Sequence, residues 1–222
     1  MTRQQPQPRR DIFTEFPAGD RAGLIVRFPD RTDSLGYSFA DAAERLATTF
    51  RAQAPDDAML LPFLYLYRHA IELDLKSAIR VATRLRRNNG ESDPSLATKA
   101  VAERLQKKHG HRLMALLDEL DGHLTALNLS TTPKDVRKLF DRISATDPTG
   151  ESFRYGSGLA NEQDQIDFPA LAKALKYAYT MSSASLDMMD AYEAFQSDML
   201  EEQRAIEAEI AADMRAEFED WY

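Results

Sequence analysis

The chain contains no cysteine. Disulfides, thiolate metal ligands and thiol nucleophiles are thereby excluded, and a reducing cytoplasm is the expected compartment. It also lacks a long apolar run. The longest, Met59 to Tyr67, falls far short of the roughly 20 residues that span a bilayer, so no membrane partner is expected. The N-terminal MTRQQPQPRRDIF has bases but no apolar segment behind them, unlike a secretory leader. Glycine is sparse at nine residues, and no Gly-rich phosphate loop, nucleophile elbow or HExxH motif occurs.

What is present is an ordinary globular composition, with 43% hydrophobic and 29% charged residues among 222. That length suffices for one sizeable core. The net charge of -8 is unevenly spread. From Asp187 to the end, twelve acids face only Arg204 and Arg215. The stretch from Arg68 to Arg112 is basic instead, with eleven cationic side chains against five acidic ones. A charge run is usually a solvated face, but this one spans two expected helices and is compatible with RNA.

The stretch LLPFLYLYRHAIELDLKSAIRVATRLRR, Leu60 to Arg87, organises the chain. Its first turns are apolar on every side, and Ile71, Leu75, Ile79, Ala82 and Leu85 continue as a single stripe, which predicts a central buried helix. Residues 1–22 read as a mobile N-terminal arm, and GLIVRF at 23–28 as a short extended segment. A first helix is expected from Phe39 to Gln53, after the Ser38–Asp41 pair. A basic helix is expected from Ser95 to Lys108, and a leucine-striped one from His111 to Leu127. A short helix follows Thr132-Pro133. ESFRYG, 151–156, alternates like a strand, so at most one or two short strands are expected. From Asp167 an apolar stripe runs through Leu171, Leu175, Leu186, Met189 and on to Trp221, as one long helix or two in tandem. The expected layout is an arm at 1–22, a helical bundle at 23–197 and an acidic helical extension at 198–222.

Four constellations could carry chemistry. Arg68, His69, Glu72 and Lys76 interrupt the central helix; the last three share a face by helical spacing. A His and a Glu one turn apart suit acid–base work or a buried structural network. A di-metal bundle would need two such pairs and further glutamates, so neither metal nor other cofactor is expected. His109 and His111 flank Gly110 at a helix junction, and His123 borders the leucine stripe. Arg154, between Phe153 and Tyr155, would need a carboxylate or phosphate partner if it faces inward, with Glu72 and Asp147 as candidates. The basic stretch is the fourth.

LYRHAIELDLK, HGHRL and DPTGESFRYG together resemble the pattern of HEPN-like bacterial helical proteins over about residues 60–156. The resemblance implies an all-α, up-down bundle, often a homodimer, whose active members are metal-independent ribonucleases of defence or toxin systems. Their signature is an Arg and a following His with four to six residues between them, which Arg104–His109 and Arg104–His111 match in spacing. The expected site is His69, Glu72, His111 and Arg154 for catalysis, with Arg68, Arg104, Lys107 and Lys108 on RNA or phosphate. The alternative is a non-catalytic interaction or dimerisation module with a protein partner.

Overall fold

The computed structural model describes residues 35–159 and 165–219. The N-terminal arm and the GLIVRF segment lie outside the described residues. Seven α-helices are present among those described: α1 (Leu35–Ala47), α2 (Leu60–Asn88), α3 (Thr98–Glu103), α4 (Leu113–Ala126), α5 (Lys134–Thr146), α6 (Ser152–Tyr155) and α7 (Phe168–Glu219). No strand occurs among them. The fold is an all-α helical bundle.

The central helix forms where the apolar pattern places it. Pro62 sits in the first turn, where its missing amide is one of the orphan donors anyway. The other end closes as a Schellman turn: Glu91 N donates to Arg86 O and Gly90 N to Arg87 O. α2 packs against α1, α4, α6 and α7, and Phe63, Tyr67, Ile71, Leu75 and Ile79 are fully buried. Leu64 only packs against the margin of this core. The stripe of α4 is buried throughout, from Leu113 to Leu124, and meets Val136, Phe140 and Ile143 of α5.

Three segments depart from the sequence reading. α1 starts earlier and stops sooner than Phe39–Gln53, so Ser38 and Asp41 lie inside it. Its first turn crosses α2 closely: a Cβ on Gly36 would sit 1.8 Å from Asp74 Oδ1. The basic stretch is not one helix but a 3-10 turn (Pro94–Leu96), α3, and a π-helical turn (Arg104–His109) that ends with Gly110 N donating to Leu105 O. ESFRYG is helical rather than extended. The turn buries Phe153 and exposes Tyr155, which a strand would have placed on one face.

α7 is a single helix of 52 residues. Phe168, Leu175, Ala178 and Met189 bury against the bundle. Its last tethers are Tyr192, whose hydroxyl accepts from Asn89 Nδ2 at 2.7 Å, and Glu193, paired with Arg84 at 2.9 Å. Every residue from Ser197 to Ala212 is exposed.

Candidate functional site

Arg68, Glu72 and Lys76 stand at successive i, i+4 positions on one face of α2. Arg68 Nη1 donates to Glu72 Oε2 at 3.1 Å and Lys76 Nζ to Glu72 Oε1 at 2.7 Å. Two loops close over this row. Arg68 Nη2 donates to the His111 carbonyl at 2.6 Å, and Arg68 Nε lies 3.0 Å from Asp147 Oδ2 at an angle poor for a hydrogen bond but close enough for an ion pair. The other oxygen of Asp147 accepts the amides of Gly150 at 2.8 Å and Ser152 at 3.0 Å. Gly150 has φ +84, and a Cβ there would lie 2.9 Å from Arg68 Nη1. Only glycine lets the 147–152 loop approach the guanidinium this closely.

The result is a sealed network. Arg68, Glu72 and Asp147 are 2%, 1% and 0% exposed. Burial opposes ionisation of Glu72, but the hydrogen bonds and charges of Lys76 and His111 outweigh it and hold the carboxyl below its usual range. His111 is the one member open to solvent, its side chain 49% exposed, with Nδ1 at 2.8 and 3.1 Å from the two Glu72 oxygens. A carboxylate fixing one imidazole nitrogen while the other meets solvent is a geometry for proton transfer.

His69 and Arg154 do not bond into this row. The His69 ring stacks on Tyr65 at 5.7 Å and meets Phe39 edge-on at 4.5 Å, and its buried Nδ1 has no hydrogen-bond partner. Burial holds its pKa below the ordinary value; Glu72 pulls the other way, while Arg154, Lys76 and His111 add to the depression. Arg154 is exposed and lies over the Tyr65 ring, 5.1 Å from its centroid. The expected Arg154–carboxylate bridge is therefore absent: Arg68 takes both Glu72 and Asp147, and the helical turn at 152–155 points Arg154 elsewhere. The main cavities that described residues line have other walls.

A second cluster centres on Glu119 of α4, which the sequence reading passed over. Arg104 Nε lies 2.9 and 3.1 Å from its two oxygens and Arg104 Nη2 at 2.7 Å. His109 Nε2 bonds it closely, and His123 Nε2 lies 3.4 Å away. Arg86 donates to His123 Nδ1 at 2.8 Å, so Nε2 carries the proton shared with Glu119. Burial opposes the charge of Glu119, but the hydrogen bonds of His123, Arg104 and His109 drive its carboxyl far below the usual range. In an α-helix Arg104 and His109 would point about 140° apart; the π turn brings both onto Glu119. Together with Lys108 they line an open depression of about 540 Å³. Lys107 is exposed outside it. The signal available beforehand was the i, i+4 spacing of Glu119 and His123 beside the Arg104–His109 pair.

Among the described residues, no group of three or more His, Asp or Glu side chains is placed to hold a metal ion, and no helix is long and apolar enough to cross a membrane. The fold and site define an all-α bundle with a sealed ionic network on its central helix. No family model, curated protein or solved structure matches this chain.

Proposed function

We propose that this protein is a helical interaction module that binds another polypeptide along the free end of α7. The observation that carries the reading is the overshoot of that helix. Phe195, Met199, Leu200, Ile206, Ile210 and Met214 are each about half exposed on the end of α7 that extends past the other described helices. Contiguous exposed apolar surface of this kind marks an interaction site. The burial of Arg68, Glu72 and Asp147 supports the same reading, because these three groups are spent on one another and on holding two loops in place.

A second reading is a HEPN-like, metal-independent ribonuclease of a defence or toxin system, acting as a homodimer. What favours it is the open depression, where His109 and His123 could exchange protons and Arg104 with Lys108 could hold phosphate. Incubation with total tRNA separates the two. The interaction module leaves tRNA intact with the parent and with His109→Ala, His123→Ala, His69→Ala and His111→Ala alike. Cleavage by the parent that any of these substitutions abolishes overturns it in favour of the nuclease.

A further inference from the structure

We infer that the free half of α7 docks a basic amphipathic helix supplied by a different polypeptide. The inference rests on the interaction-module reading and adds the chemistry of the partner. Met199 and Ile210 are eleven residues apart, with Ile206 between them and Met214 one turn beyond, all exposed. An eleven-residue repeat nearly matches the natural period of a straight helix, so the stripe runs almost parallel to the axis. From Phe195 to Met214 it extends for roughly 28 Å at 1.5 Å per residue. That is a face for an extended helical partner rather than for a small molecule.

Charge selects among the possible occupants. The flanks carry Asp198, Glu201, Glu202, Glu207 and Glu209, with Arg204 and Arg215 as the only cations from Phe195 onward. The same stripe from a second copy would face these carboxylates with an identical set, and like charges repel across a helical seam. The basic stretch of a second copy fails for a different reason. Most of its cations are already engaged: Arg68 and Lys76 by Glu72, Arg84 by Glu193, Arg86 by Glu91, Arg104 by Glu119, and Arg87 and Arg112 by the carbonyls of Leu96 and Lys108. Arg80, Lys99, Lys107 and Lys108 remain exposed, but no large apolar side chain is exposed between Arg80 and Arg112 to cover the stripe. Interfacial membrane helices carry lysine and arginine on the polar face, the reverse of this one. A helix with an apolar seam flanked by lysine and arginine satisfies both the stripe and its rims.

The test uses the full chain and synthetic peptides of about 25 residues, long enough to cover the exposed face. One carries isoleucine at the eleven-residue spacing with lysine and arginine flanks. A second keeps the seam but has glutamate flanks. A third keeps the basic composition with the seam residues scattered around the helix. Fluorescence anisotropy should show binding of the first peptide alone, weakening as salt rises above about 0.1 M. Ile206→Glu with Ile210→Glu should weaken it at least about tenfold, while the helical circular dichroism and the unfolding midpoint of the bundle stay unchanged. Failure of the first peptide to bind overturns the inference. So does equal binding of the scattered peptide, which would make the contact one of charge alone. A neutral-pH dimer that is lost when the chain is ended at Asp198 names a second copy as the occupant and also overturns it. The interaction-module reading itself falls only to histidine-dependent tRNA cleavage, so the two failures are distinguishable.

Discussion

Arg68 and Asp147, 79 residues apart in sequence, meet in the interior with Nε and Oδ2 separated by 3.0 Å. One side chain of the central helix thereby fixes the loop between α5 and α6, since the other oxygen of Asp147 orders the Gly150 and Ser152 amides. The same guanidinium holds the carbonyl of His111. Removing it leaves Asp147 Oδ2 without its counter-charge and Glu72 with only Lys76 and His111.

Arg68→Ala should therefore lower stability by about 3–5 kcal/mol, the range for breaking a buried ion pair from one side. Asp147→Asn keeps an acceptor for the two amides and should lose less. Urea unfolding followed by circular dichroism measures both. A loss for Arg68→Ala under about 1 kcal/mol would mean the network is not sealed.

Gly150→Ala adds a Cβ 2.9 Å from Arg68 Nη1 at a backbone angle of φ +84. Gly158→Ala meets similar backbone strain at φ +76, but its nearest neighbour is 3.8 Å away. The first substitution should cost about 1–3 kcal/mol more than strain alone, as overpacking does. Equal unfolding midpoints for the two variants would separate Gly150 from Arg68.

Asp74 is buried against the first turn of α1, and burial raises its pKa from 3.8 to about 6, with a Tyr179 hydrogen bond opposing. A carboxyl with a raised folded pKa adds stability that is full below its unfolded value and is lost as pH rises through about 6. Asp74→Asn should match the parent near pH 4 and exceed it by up to about 3 kcal/mol at pH 7.5. His69 acts in the opposite sense. Its pKa is depressed by burial, so its contribution is present above 6.5 and is lost as pH falls through the lower folded value. With Asp74 neutralised, stability should climb more steeply from pH 4 to 7.5 than in the parent. Parallel profiles for the two proteins count against a raised Asp74.

Phe63 of α2 is fully buried, against Tyr67 of the same helix and Phe168 of α7 at 5.1 and 4.8 Å between ring centroids. Phe63→Ala should cost about 3–5 kcal/mol, the range for an enclosed aromatic. Leu64, next in sequence but only partly buried, should lose clearly less on truncation to alanine. Thermal melts of the two variants decide, and a larger loss at Leu64 would displace the core from where the rings place it.

The bundle was legible in the sequence because helical periodicity is a local property. The stripes of α2, α4 and α5, Pro62 at a helix start and Asn89-Gly90 at a helix end all act within a few residues of one another. The continuation of the α7 stripe into acidic sequence was legible for the same reason.

The long-range ionic partners were not legible, because they are chosen across the fold. Arg68–Glu72 and Lys76–Glu72 are i, i+4 pairs on one helix face, but Asp147 and His111 reach that row from distant loops, and His69 turns onto Tyr65 and Phe39. The same holds for Arg104 and His109, which the π turn brings onto Glu119. Periodicity by itself determined which faces are apolar and therefore that the chain is a helical bundle. Which groups join Arg68 and Glu72 from outside their helix was decided by tertiary structure alone, because a charge removed from water needs a counter-charge within a few ångströms, and Asp147 and His111 arrive from other parts of the chain.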